Sequence, residues 1–111
     1  MPLANNVYIF SNKNDSSDPD NLNFTADSIT FKNSMISTYR NINLDAKTDI
    51  NIENDTFDTS KFYVGSSYNK VNFEADGDIV TNNAYIYSNK NNSSDPDNLN
   101  FAAASITFKN S

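Results

Sequence analysis

The chain has 111 residues and a formal net charge of −6, and it contains no His, Cys or Trp. Those absences exclude imidazole and thiol catalysis, disulfides and the common zinc sites, while acidity with only eight scattered Lys and Arg excludes attachment to nucleic acid by counterion release. No apolar stretch approaches the roughly 20 residues that span a bilayer, so no insertion into a membrane is expected.

Twenty-one Asn against two Gly and three Pro, with many aromatic and β-branched residues, predict strands joined by Asn, Asp and Ser turns. The opening MPLANN lacks the charged and apolar regions of a signal peptide, so an export signal is expected in a longer parent. A first alternating run centres on Ile9. It leads into NKNDSSDPDN, Asn12 to Asn21, where Pro19 fixes φ. Asp15, Asp18 and Asp20 stand among Ser and Asn oxygens, the hard donors that calcium takes. The loop lacks the Gly-containing twelve-residue EF-hand pattern, and a solvated Asx and Ser turn accounts for the same residues.

From Leu22 the chain alternates as LNFTA, turns, continues as ITFKN, turns again and runs on as MIST. The unit recurs from Ile42 as INLDA, INIEN and a third run centred on Phe57. The following KFYVGSSYNK reads as an inserted loop with Phe62, Tyr63 and Tyr68 around a flexible Gly65. Such a loop either presents an aromatic contact surface or folds over the coil and buries its own rings. From Val71 the unit returns as VNFEA, DIVTN and a run centred on Ile86. A second Asp-rich loop, Asn89 to Asn98, repeats the first with Asn92 in place of Asp15 and offers Asp95 and Asp97. Leu99 opens a fourth unit, LNFAAASITFKNS.

Residues 82–111 overlay residues 5–34 without a gap and match at 25 of 30 positions, a tandem array with a period of 77. Residues 1–111 read as a single β-solenoid segment cut from that array. Alternation with period two puts one face inward, and the aligned units give inward columns: Leu22, Ile42, Val71 and Leu99; Phe24, Leu44, Phe73 and Phe101; Ala26, Ala46, Ala75 and Ala103 at a corner; Ile29, Ile50, Ile79 and Ile106; and Ile9, Ile36, Phe57 and Ile86. Thr81 breaks an otherwise apolar column of Phe31, Ile52 and Phe108. Asn23, Asn43, Asn72 and Asn100 point outward, and Asn33, Asn54, Asn83 and Asn110 fall at the second turn. Three short strands per unit, each lying on its counterpart in the next, predict a three-sided parallel solenoid. An antiparallel sandwich of the same strands, or an intertwined fibre, is the alternative, but hairpin chemistry is present only at Asp76-Gly77-Asp78.

The stretches NFTADSITFKNSMI, NLDAKTDINIENDTF and NFEADGDIVTNNAYI resemble the repeats of filamentous-haemagglutinin-type adhesins, the large exoproteins of two-partner secretion. Those repeats read loosely as apolar-x-Leu-x-Ala-turn-x-Ile-x-Ile-x-Asn-x-x-Ile, and the resemblance covers most of the chain. It implies an all-β, right-handed parallel β-helix, here of about four coils, forming a structural shaft in a secreted adhesin or filament at the bacterial cell surface. The turns depart from the family's Gly-rich habit and keep only Gly77. Shaft repeats carry no catalytic residues, and Glu53 and Glu74 form no acid–base pair of the glycosidase kind, so no enzyme is expected. Calcium is the one candidate cofactor, and a calcium-binding assembly module using the Asp-rich loops 12–21 and 89–98 is the alternative function. The expected partners are neighbouring repeats or copies of the chain end to end, together with a cell-surface receptor.

Overall fold

The computed structural model describes residues 3–5, 8–11, 22–38, 41–66, 70–88 and 99–111. Its regular elements are all strands: β1 (Leu3–Asn5), β2 (Tyr8–Ser11), β3 (Leu22–Ala26), β4 (Ile29–Lys32), β5 (Met35–Thr38), β6 (Ile42–Ala46), β7 (Ile50–Glu53), β8 (Tyr63–Ser66), β9 (Val71–Ala75), β10 (Asp78–Asn82), β11 (Tyr85–Ser88), β12 (Leu99–Ala102) and β13 (Ser105–Lys109). They sort into sheet A, β1-β4-β7-β10-β13, sheet B, β2-β5-β8-β11, and sheet C, β3-β6-β9-β12. Every pairing is parallel. The chain visits the sheets in strict rotation, a path compatible with a three-sided parallel β-helix. It rules out the antiparallel sandwich.

The register is the one the columns require. Leu22 pairs with Ile42 and Ile42 with Val71, and Val71 pairs with Leu99. Ile29, Ile50, Ile79 and Ile106 form an unbroken file in sheet A. In β6 the residues alternate as period two demands: Ile42, Leu44 and Ala46 are buried, and Asp45 between them is exposed. Ile29, Ile42, Ile50, Val71 and Ile79 have no exposed surface at all. A slip of one residue in any strand would turn that whole file to solvent, so the burial pattern fixes the register.

Two columns differ from expectation. Ala103 stands one residue beyond the end of β12, half-buried against the core rather than within the ladder. More substantially, the file of Ile9 and Ile36 continues through Val64 to Ile86, and not through Phe57, which is 45% exposed. KFYVGSSYNK is therefore not wholly a loop, because Tyr63–Ser66 is β8. The excursion is residues 55–62, eight residues where Ser34 or Ala84 alone suffices in the neighbouring turns. A local turn explains the difference. The Asp58 carboxylate accepts from the Ser60 amide at 2.9 Å and the Ser60 hydroxyl at 2.6 Å, and the Asp58 carbonyl accepts from the Phe62 amide at 3.0 Å. That Asx-type turn bends the chain where a strand through Phe57 would have to stay extended.

Candidate functional site

The outer surface is built from ladders that run along the stack. On sheet C the Asn43 amide donates to Asn23 Oδ1 at 2.8 Å, Asn72 to Asn43 Oδ1 at 2.7 Å and Asn100 to Asn72 Oδ1 at 2.7 Å. Each coil donates toward the preceding one, so the ladder has a direction. A second ladder occupies the corner after sheet A. Asn33, Asn83 and Asn110 sit there at φ of 48°, 55° and 50°, a left-handed conformation that Asn tolerates better than other non-Gly residues. Asn54 Oδ1 accepts from the Asn33 main-chain N–H at 2.9 Å, Asn54 Nδ2 donates to the Asn83 main-chain carbonyl at 3.0 Å and Asn110 Nδ2 donates to Asn83 Oδ1 at 2.7 Å. At the corner between sheets C and A the Gly77 amide donates to the Thr48 carbonyl at 2.7 Å. A Cβ on Gly77 would run into that carbonyl and the Asp49 carboxylate, which is why this turn keeps its glycine.

On sheet B the tyrosines gather. Tyr63, half-buried, has its ring 5.6 Å from that of Tyr87, and Tyr87 stacks on Tyr85 at 5.2 Å. Gly65 lies beneath the Tyr87 ring, and a Cβ there would enter it. So Gly65 serves close approach within a strand, not loop flexibility. Of the three aromatic residues expected in a contact loop, Tyr63 is a strand residue, Phe62 is half-buried at the end of the 55–62 excursion, and Tyr68 lies outside the described residues. Tyr85 and Tyr87 were not singled out by the sequence. Their signal was the pair of aromatic residues flanking Ile86 on the face opposite the core. Asp15, Asp18, Asp20, Asp95 and Asp97, the candidate calcium ligands, also lie outside the described residues.

Charge is spread thinly. Lys32, Glu53, Asn82 and Lys109 follow one another across the outer face of sheet A and line a shallow polar groove with Asn54 and Asp55. Lys47 Nζ stands 3.9 Å from Asp27 Oδ1, both exposed, a pair that adds little in water. Hydrogen bonds from the Ser60 hydroxyl and amide hold the Asp58 carboxyl below the usual carboxylate range.

The C-terminal end of the stack is of another character. β11, β12 and β13 are the last strands of their sheets. Leu99 is 41% exposed, Ile106 41% and Phe108 50%. Leu99 and Phe108, with Ala84, Ile86, Phe101 and Ser111, line an apolar hollow of about 220 Å³. It is the open cross-section of the core. Comparison with protein-family models, with curated proteins and with solved structures finds no match.

Proposed function

We propose that the chain is a shaft segment: a non-catalytic, right-handed, three-sided β-helix of about four coils, one piece of a secreted surface adhesin or filament of a bacterium. Its work is mechanical. Stacked coils set the reach of whatever the parent array carries, and copies continue one another end to end. The observation that carries this reading is the like-on-like register in sheets A and C and in the Ile9, Ile36, Val64 and Ile86 file of sheet B, with apolar files inside and directional Asn ladders outside. Such a stack is stabilised by contacts between neighbouring coils, so it extends by addition without needing a closed core. Right-handedness follows the general preference of parallel crossovers. The bacterial, extracellular setting rests on the resemblance of the repeats to filamentous-haemagglutinin-type adhesins.

Arrays of two, four and six 77-residue periods provide the test. Each period contributes three coils at about 4.8 Å, so small-angle scattering should report a rod that lengthens by about 14 Å per period at constant cross-section. Particles that thicken as they grow would refute the shaft.

A further inference from the structure

Most inward files treat the coils of the 77-residue period alike. The file of Ile29, Ile50, Ile79 and Ile106 is uniform, and Leu22, Ile42, Val71 and Leu99 differ by no more than a methylene. Apolar exchanges of that size are well tolerated. These files therefore give the third coil, residues 71–88, hardly any preference for what lies on it. The file of Phe31, Ile52, Thr81 and Phe108 is different. It places a hydroxyl where the other coils have hydrocarbon, and Thr81 has no exposed surface. A buried hydroxyl without a partner is costly.

The partner of Thr81 stands in the next coil. Thr81 Oγ1 donates to Ser111 Oγ at 3.0 Å. Ser111 is set to receive it, because its own proton goes to the Lys109 carbonyl at 2.9 Å. That leaves the oxygen to accept from Thr81 and from the Ala84 main-chain N–H at 3.1 Å. Residues 99–111 repeat residues 22–34 with two substitutions, so Ser111 is the counterpart of Ser34. Ser34 donates to the Lys32 carbonyl at 2.8 Å, and the posture is thus a property of the first-type coil.

Neither of the other coil types offers such an acceptor. At that position the third coil has Ala84, a methyl group. The second has Asp55, which is exposed and tied to Asn33: its Oδ2 accepts from Asn33 Nδ2 at 3.0 Å and its N–H donates to Asn33 Oδ1 at 2.8 Å. The demand runs one way. Phe31 lies in register with Ala4, so a first-type coil also fits a residue without a hydroxyl. Thr81 does not fit a coil without the serine.

We infer that Thr81 and Ser111 form a junction key: the hydroxyl pair dictates that the third coil of a period is followed by a first-type coil, and so orders the coils from one period to the next. The inference rests on the stacked-coil reading and adds a rule of sequence to it. A single buried polar residue sets register in coiled coils by the same physics, at a cost in stability.

The test crosses two changes in the full chain. One is Thr81→Val, which keeps the shape and removes the hydroxyl. The other replaces residues 99–111 by a copy of residues 42–55, a second-type coil with Ile and Asp at the positions of Phe108 and Ser111. Hydrogen exchange of the last coil is then compared among the parent, the two single changes and their combination. Thr81→Val should slow exchange about tenfold or more in the transplant and alter it by less than about threefold in the parent. An equal effect in both, or no effect in the transplant, overturns the key.

Ser111→Ala supplies the same contrast by removal of one oxygen. Thr81→Val should leave the Tm of the parent unchanged or lower, yet raise the Tm of Ser111→Ala. A Tm lowered alike in both backgrounds overturns the pairing. Protected strands without contrast between backgrounds overturn the key and leave the shaft standing. Unprotected amides in β7, β10 and β13 of the parent would bring down the stack, and the key with it.

Discussion

Asn43 illustrates how a single side chain is used in this molecule. Its amide donates to Asn23 and its carbonyl oxygen accepts from Asn72, so it is tied to the coil on either side. A net contribution of about 0.5–1.5 kcal/mol per hydrogen bond predicts that Asn43→Ala, which loses two, costs about 1–3 kcal/mol, read from the urea midpoint. A midpoint equal to the parent's would show that the ladder adds nothing beyond what water supplies. Thr81 is the opposite case, a hydroxyl with no exposed surface between Ile52 and Phe108 in an apolar file. It is accommodated because it donates to Ser111 Oγ at 3.0 Å, while the Ser111 hydroxyl donates to the Lys109 carbonyl at 2.9 Å. The anomaly at Thr81 was visible in the repeat alignment. Its partner was not, since Ser111 stands 30 residues away and reaches it only across the turn of the next coil.

At the level of the strand, β8 is the informative element. Both Phe57 and Val64 lie in short segments that a sheet would accept, and Phe57 has the better spacing from the corner Asn. Val64 takes the place because its strand carries Gly65 and Ser66, which leave room for the Tyr87 ring and a buried hydroxyl, and because Asp58 locks the intervening turn. The fit of Gly65 under Tyr87 is specific enough to test by a cycle. Gly65→Ala should destabilise the protein by about 1 kcal/mol or more, because the ring has to leave its seat. In a Tyr87→Ala background the same substitution should cost almost nothing, or help through its higher strand propensity. Equal costs in the two backgrounds would mean that Gly65 is retained for another reason.

For the stack as a whole, stability is shared between neighbours, and position along the axis should decide how much a residue is worth. Ile50 and Ile106 belong to the same file. Ile50 is covered on both sides and Ile106 on one. Ile50→Ala should therefore cost about 2–5 kcal/mol, in the range of fully buried truncations, and Ile106→Ala less than half of that. Thermal or urea melts of the two variants supply the comparison, and similar costs would contradict the order of coils described above. Adding the coil of residues 35–54 beyond Ser111 should bring the cost of Ile106→Ala up toward that of Ile50→Ala.

Strand positions, inward files and Asn ladders were legible from the amino acids because each depends on short-range alternation and on a phrase repeated at coil-length spacing. A side chain that must lie on its own kind can be found by aligning the copies. Three things were decided by folding: Val64 in place of Phe57, the gathering of Tyr63, Tyr85 and Tyr87, and the closure of Thr81 on Ser111. Each is a choice between locally acceptable arrangements, and the coil above or below makes it, through contacts across some 20 to 30 residues of chain that local pattern does not encode.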